Sequence, residues 1–347
     1  MSQAFEQYKD KGLTGLANLG NTCYMNSVIQ CLSHSYELNE FLSKEGYKEK
    51  LNKKSESLLL VEWDKLRKLI WSENCIISPG GFLSSVQKVA KIKDRDIFTG
   101  YSQNDFSEFL LFLLESFHEA INREVNMTIS GSVMNNTDEL AKVCFNRIKT
   151  MYKNEYSEFI DMFFGISVSK ISGKNSNYLN ILPEPFLLLN LALPEKSLKF
   201  NKTSSLHECF DLHTQIEDLE TPIEIDENTG EKDNGEKQVV FWSLPNILII
   251  TLKRFYGNKK IQSLIEFPLE DLDLTKYVVG YDKESYKYDL YGICNHMGGP
   301  LGGHYTAFVK NPNDNWYHFN DTNVNKIDNI SKLVSPNAYC LFYRKKK

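Results

Sequence analysis

One change of hydrophobic period divides this chain and limits what it can fold into. Residues 13 to about 165 carry helical spacing, and residues 239 to 347 carry the texture of strands. In QNDFSEFLLFLLESFHEAI, Phe106, Phe109, Leu110, Leu113, Leu114 and Phe117 fall at i, i+3, i+4, i+7, i+8 and i+11, one apolar stripe of a helix. Ser102 and Asp105 ahead of it resemble a capping pair, with Asp at the third helical position. The second half reads NILIITLKRF, KYDLYGICN, HYTAFVKN, NWYHFND and AYCLFYRK, β-branched and aromatic runs broken by Gly, Asn and Pro. Between the halves, residues 165 to 245 hold short apolar runs, prolines and the acidic EDLETPIEIDENTGEKDNGEK. NTG and DNG form turns, so this stretch is expected as a long exposed hairpin or a partly mobile loop. Helices feeding an antiparallel sheet predict an α+β fold.

Charge and cysteine usage narrow the function classes. A net charge of −5 over 347 residues offers no electrostatic footing for nucleic acid. No apolar run reaches the length of a membrane span. Seven irregularly spaced cysteines, with a polar start MSQAFEQYKDKG that lacks a signal-peptide pattern, predict an intracellular protein, cytoplasmic or nuclear, in a reducing compartment.

One cysteine sits where chemistry is possible. In GLANLGNTCYMNSVIQCL, turn formers precede Cys23, and Met25, Val28, Ile29 and Leu32 then mark a helix with an apolar face. Cys23 therefore falls in a first helical turn, where free backbone N–H groups and the dipole favour a thiolate and can hold an oxyanion. Asn18 could add a side-chain amide to that oxyanion. The other reading of Cys23 is a small buried hydrophobe. Cys31, Cys75, Cys144, Cys209, Cys294 and Cys340 lack this setting and read as core or partly buried thiols. A thiol nucleophile needs an imidazole held by a third group. His304, after Gly302 and Gly303 and at the head of an alternating strand, is the best candidate. A turn near NPNDN would bring Asn320 or Asp321 alongside it, and either could accept the ring N–H. Otherwise His304 is an ordinary strand-end histidine and Asn320-Asp321 an ordinary turn.

Four blocks together carry more than each alone. GLANLGNTCYMNSVIQCL is similar to the cysteine box of the ubiquitin-specific proteases, and YSQNDFSEFLLFLLE to their glutamine–aspartate box. LPNILIITLKRF resembles their palm strand, and NHMGGPLGGHYTAFVKNPNDNWYHFNDTNV with AYCLFYRK resembles their histidine box and closing strand. The blocks keep family order from about residue 13 to 344. The resemblance implies a papain-like right hand, with an N-terminal arm at 1–12 and a catalytic domain at 13–347. Within it, 13–165 forms the helical thumb, 166–250 the fingers and part of the palm, and 251–347 the palm strands. It implies hydrolysis of the bond after the C-terminal glycine of ubiquitin through a thioester. The alternatives are a catalytically weak or inactive ubiquitin-binding module or a protease for another ubiquitin-like modifier. It implies Cys23 as nucleophile, His304 as base and acid, Asn320 as the third catalytic group, Asp321 as a supporting one and Asn18 at the oxyanion. Gln103, Asp105, Glu108, Phe255, His296, Gly302, Gly303 and Tyr305 are implied near the tail Leu-Arg-Leu-Arg-Gly-Gly. The partners expected are ubiquitin and ubiquitinated proteins, for a monomer that needs no cofactor and binds neither nucleic acid nor membrane.

The chain departs from the family at two places. Many members carry two Cys-x-x-Cys pairs that hold zinc at the tip of the fingers. Here SKISGKNS and NTGEKDNGEKQ stand in those places without cysteine. His207, Cys209 and His213 in LHECFDLH are too irregular for a good site, so no metal is expected. The fingers are then expected to hold by strand pairing alone. The second box reads QND, with Asn104 where a second glutamine is common.

Overall fold

The computed structural model describes residues 3–226, 228–299 and 302–346. Its first half is helical: α1 (Cys23–Ser33), α2 (Tyr36–Ser43), α3 (Glu56–Ser72), α4 (Gly80–Ile92), α5 (Phe106–Ile121), α6 (Asn136–Tyr152) and α7 (Glu158–Phe163). Two further helices, α8 (Glu195–Phe200) and α9 (Leu206–Thr214), lie in the stretch whose prolines and short runs gave no helical signal. The N-terminus of α9 is fixed locally by a capping box between Ser205 and Glu208.

The strands are β1 (Gly165–Gly173), β2 (Leu179–Phe186), β3 (Leu189–Leu191), β4 (Gly235–Ser243), β5 (Ile247–Leu252), β6 (Lys287–Gly299), β7 (Gly302–Lys310), β8 (Trp316–Asn320), β9 (Asn323–Lys326) and β10 (Ala338–Lys345). A large sheet runs in the order β9-β8-β7-β6-β10-β5-β3, with Leu272–Asp273 paired to β6. A smaller sheet runs β2-β1-β4, extended by Glu217–Asp218. The acidic stretch forms the hairpin expected of it, Ile223–Asp226 against Glu231–Asp233, with Glu227 outside the described residues.

Packing on both faces explains the run ILIITL. All six residues of β5 are buried, as in a strand covered on both sides. Ile247 and Ile249 join a core shared with the helical half, and Leu248 and Ile250 join a second core with Leu206, Cys209 and Phe210 of α9. Helix α1 lies between helices and sheet and is buried along its whole length. Its polar side chains therefore need partners: Gln30 donates to Thr14 O at 2.8 Å, and Asn26 donates to Asp321 Oδ1 at 2.7 Å. Helix α5 packs the predicted stripe inward, with Phe106, Phe109, Leu110, Leu113, Leu114 and Phe117 all buried.

Two expectations are corrected here. The cap of α5 is Asp105 rather than Ser102: its Oδ1 accepts from the N–H of Ser107 at 2.7 Å and of Glu108 at 3.2 Å. Asp105 has extended backbone, which starts the helix one turn later than the spacing from Ser102 suggests. Cys75 is exposed rather than core or partly buried, because it lies in the connection after α3, at the surface.

Candidate active site

Cys23 is the first residue of α1, and the chain enters that helix through a wound loop. Asn18 Oδ1 accepts from the N–H of Gly20 and of Thr22, both at 3.1 Å. The turn needs left-handed backbone at Gly20 (φ 102°) and Asn21 (φ 55°). The thiol that emerges is 4% exposed. Burial pushes its pKa up, and the Asp321 carboxylate adds to the rise. The backbone N–H groups of Tyr305, Tyr24 and Cys23 itself oppose it without overcoming it. This corrects the expectation of an easily ionised thiol: the N–H donors are present, but desolvation outweighs them.

His304 lies at the head of β7, and Asn320 ends the neighbouring β8. The two strands pair from Lys310↔Trp316 to Ala307↔Phe319, through the turn at 311–315. His304 Nε2 meets Asn320 Oδ1 at 2.7 Å. With Asn320 accepting, the proton sits on Nε2 and Nδ1 keeps its lone pair. Tyr305, the next residue, shares a buried core with Cys23 and lines the same cavity, so the imidazole strand is packed beside the helix that carries the thiol. Among the described residues no hydrogen bond joins Cys23 to His304. Catalytic bonds of this kind commonly tighten when substrate binds.

Asp321 plays a different part from Asn320. It occupies the left-handed region (φ 50°) in the turn between β8 and β9. Its two oxygens accept from Asn18 Nδ2 at 3.0 Å and Asn26 Nδ2 at 2.7 Å, and its carbonyl accepts from Leu16 N–H at 2.8 Å. Asp321 thus bolts the palm turn to the loop and helix that carry Cys23. Gly15 makes room for it, since a Cβ there would lie 2.3 Å from Thr322 O. One N–H of the Asn18 amide is already given to Asp321.

A cavity of about 380 Å³ opens beside Cys23. Gln103, Asp105, Phe255, His296, Tyr305 and the pair Gly302 and Gly303 are all on its walls. Glu108 is not; it is exposed on α5 and gives only its backbone N–H to Asp105. Gln103 Oε1 accepts from Gly303 N–H at 3.2 Å. Asp105 Oδ2 accepts from the hydroxyls of Tyr339 at 2.8 Å and Tyr305 at 3.2 Å. His296 is buried, which together with Lys260 pushes its pKa down to about 4, so it stays neutral. Its ring lies 4.6 Å from Tyr305 and 5.4 Å from Phe255. A Cβ on Gly303 would fall 2.3 Å from His296 Nε2, so this wall requires glycine. Pro300 and Leu301, between the two glycine pairs, lie outside the described residues.

Sequence reasoning missed three groups. Tyr339 lies on β10 and its signal was only an aromatic in AYCLFYRK. Asn104, noted as a departure, donates to Tyr24 OH at 3.1 Å and lines the cavity. Lys260 donates its ammonium to the carbonyl of His296, and burial followed by Arg254 lowers its pKa to about 8. No cluster able to hold a metal occurs among the described residues. His207 and His213 do not converge with Cys209: Cys209 is buried in the core, His207 Nε2 faces Asp273 O, and His213 stacks on Phe241.

Known proteins align with this chain over most of its length. The family described as Ubiquitin carboxyl-terminal hydrolase matches residues 14–343. Ubiquitin carboxyl-terminal hydrolase 2 of Homo sapiens is 33% identical over 349 residues, covering 96% of this chain and 55% of that protein. Ubiquitin carboxyl-terminal hydrolase Usp2 of Drosophila melanogaster is 34% identical over 347 residues, covering 97% of this chain and 35% of that protein. The chain thus spans about half or less of these two relatives. Among solved structures, the SAGA Ubp8/Sgf11/Sus1/Sgf73 DUB module bound to ubiquitin aldehyde is similar with a TM-score of 0.73. It is 25% identical, and the match covers 98% of this chain and 71% of that one.

Proposed function

The chain belongs to the ubiquitin carboxyl-terminal hydrolase family, and on that premise we propose that it is a deubiquitinating cysteine protease. Its substrate is the isopeptide or peptide bond after the C-terminal glycine of ubiquitin. Cys23 Sγ attacks the glycine carbonyl carbon while its proton passes to His304 Nδ1. The C–N bond breaks as His304 returns that proton to the leaving amine, and a thioester remains. Water, losing a proton to His304, attacks the thioester; ubiquitin leaves with a free carboxylate and the thiol is restored. Asn320 holds the ring in the tautomer this needs. The N–H of Cys23 and the second N–H of Asn18 take the oxyanion, and Asp321 positions Asn18 for it.

The observation that carries this reading is the His304–Asn320 pair, with Tyr305, the residue after His304, lining one cavity with Cys23. The remaining walls suit the tail. Gly302 and Gly303 leave room for a glycine-ended chain, and Asp105 offers a carboxylate to its amides or arginines. Ubiquitin and ubiquitinated proteins are the proposed partners of a monomer in a reducing cytoplasmic or nuclear compartment. Cys23→Ala tests the proposal: turnover of a ubiquitin–fluorophore conjugate should vanish while ubiquitin binding persists. Turnover equal to the parent would end it.

A further inference from the structure

Among the described residues the fingers have no apolar core at their tip. The small core against α6 is built on Val168 of β1 and on Val240 and Trp242 of β4, with Ala141 and Cys144. Beyond it, among residues 169–182 and 231–239, only Asp233 and Gly235 are buried. The most enclosed side chain at the tip is therefore a carboxylate, 8% exposed. Such a group is costly to bury unless donors surround it.

Donors do surround it, and all come from the β1–β2 turn. Asp233 Oδ2 accepts from Asn175 N–H at 2.9 Å and Ser176 Oγ at 2.9 Å, and Oδ1 accepts from Asn175 Nδ2 at 2.8 Å. Lys174 N–H gives a further bond to Asn234 O at 2.8 Å. Gly235 pairs with Gly173, so this knot closes the outer end of the β1–β4 ladder. A Cβ on Gly173 would lie 2.6 Å from Asp233 Oδ2 and 2.2 Å from Ser176 Oγ. The carboxylate seats where only glycine leaves space. Hydrogen bonds, led by Asn175 N–H, hold its pKa below the usual range, so it stays charged. The expectation that strand pairing alone holds the fingers is corrected: a carboxylate joins the two turns where relatives would place cysteine pairs, and Asn175, Ser176 and Asp233 do not make a thiolate site.

We infer that Asp233 is a positioning residue for the folded part of ubiquitin. By fixing the β1–β2 turn to the segment leading into β4, it holds the tip as one surface without a metal. This rests on the reading of the chain as a ubiquitin hydrolase. On that reading the tail enters the cleft and the folded part stays outside it, so the two contributions to substrate binding are separable.

Two fluorogenic substrates test it: a full ubiquitin conjugate and a peptide ending Leu-Arg-Gly-Gly. For Asp233→Ala and Gly173→Ala the KM for ubiquitin should rise about tenfold with kcat within about twofold. Asp233→Asn, which keeps one acceptor, should raise it about threefold. The kcat/KM on the peptide should not change, which also reports that the fold is intact. Equal losses on both substrates would make Asp233 a general support of the fold, and an unchanged KM would leave the tip without a role; either overturns the inference. The same three changes in a Cys23→Ala background, read by ubiquitin Kd, test it independently of turnover. A parent enzyme that cleaves neither substrate would instead overturn the functional reading.

Discussion

Two aspartates organise the cleft and the fingertip, and they work over different distances. Asp105, at the cleft, uses one oxygen to cap α5 and the other to hold tyrosines 200 and 234 residues away. Asp233, at the fingertip, takes its three side-chain-to-turn bonds from residues 57 or 58 positions away, all in one turn. Asp105 sits on the large core, among Phe106, Tyr305 and Tyr339. Asp233 sits where no core exists. The difference reflects what each end must do. Chemistry needs atoms fixed within a fraction of an ångström, which requires support from several distant segments. Holding a folded partner needs a surface of fixed shape, and a polar knot within a small sheet suffices.

The largest effects should come from the cleft and strike every substrate. His304→Ala should lower kcat about a thousandfold on ubiquitin and on the tail peptide alike, with KM nearly unchanged, in steady-state assays. Asp321→Ala comes next. It leaves the exposed Asn18 amide to water and the buried Asn26 amide with only its longer bonds to Leu16 O at 3.3 Å and Ala17 O at 3.4 Å, a loss of about 1 kcal/mol. Urea unfolding should show that loss, and kcat should fall because the loop before Cys23 keeps only its backbone bond from Leu16 N–H to the carbonyl of residue 321. Asp105→Ala should cost about 1 kcal/mol from the lost cap. It should raise KM on both substrates by a similar factor, where Asp233→Ala raises it on ubiquitin alone. If Asp105 and Asp233 variants behaved alike, the division between cleft and fingertip would fail.

The smallest effect concerns the free enzyme's thiol. Burial raises the Cys23 pKa, so the neutral form is favoured and less thiolate exists at neutral pH than for a free cysteine. Alkylation by iodoacetamide should climb with pH and reach half its maximum above the ~8.5 of an ordinary thiol. A midpoint near 6 would mean that the helix terminus already outweighs desolvation.

Much of the cleft could be read from residues, because its parts are short motifs with local geometry. The turn before Cys23, the pairing of the strands that carry His304 and Asn320 and the stripe of α5 each depend on a few neighbouring positions. What escaped depends on the assembled fold. The cap at Asp105 follows from which residue leaves the helix, and Ser102 satisfied the same spacing rule. The raised thiol pKa follows from burial against β7, which no local pattern reports. Helices α8 and α9 are short, and the prolines and short apolar runs around them masked their period. Asp233 looked like a solvated turn residue in DNG, since its donors come from a different turn of the chain. Lys260 reaches His296 across a short hairpin that had no signal of its own.

The central claim is that Cys23 acts as a nucleophile because His304, fixed by Asn320, is brought to it across the cleft. Ubiquitin carrying a C-terminal electrophile tests this directly when the adduct is located by peptide mass spectrometry. One adduct per chain is expected, on Cys23 alone, absent in Cys23→Ala and formed far more slowly in His304→Ala. An adduct that persists in Cys23→Ala, or a rate untouched by His304→Ala, would contradict it.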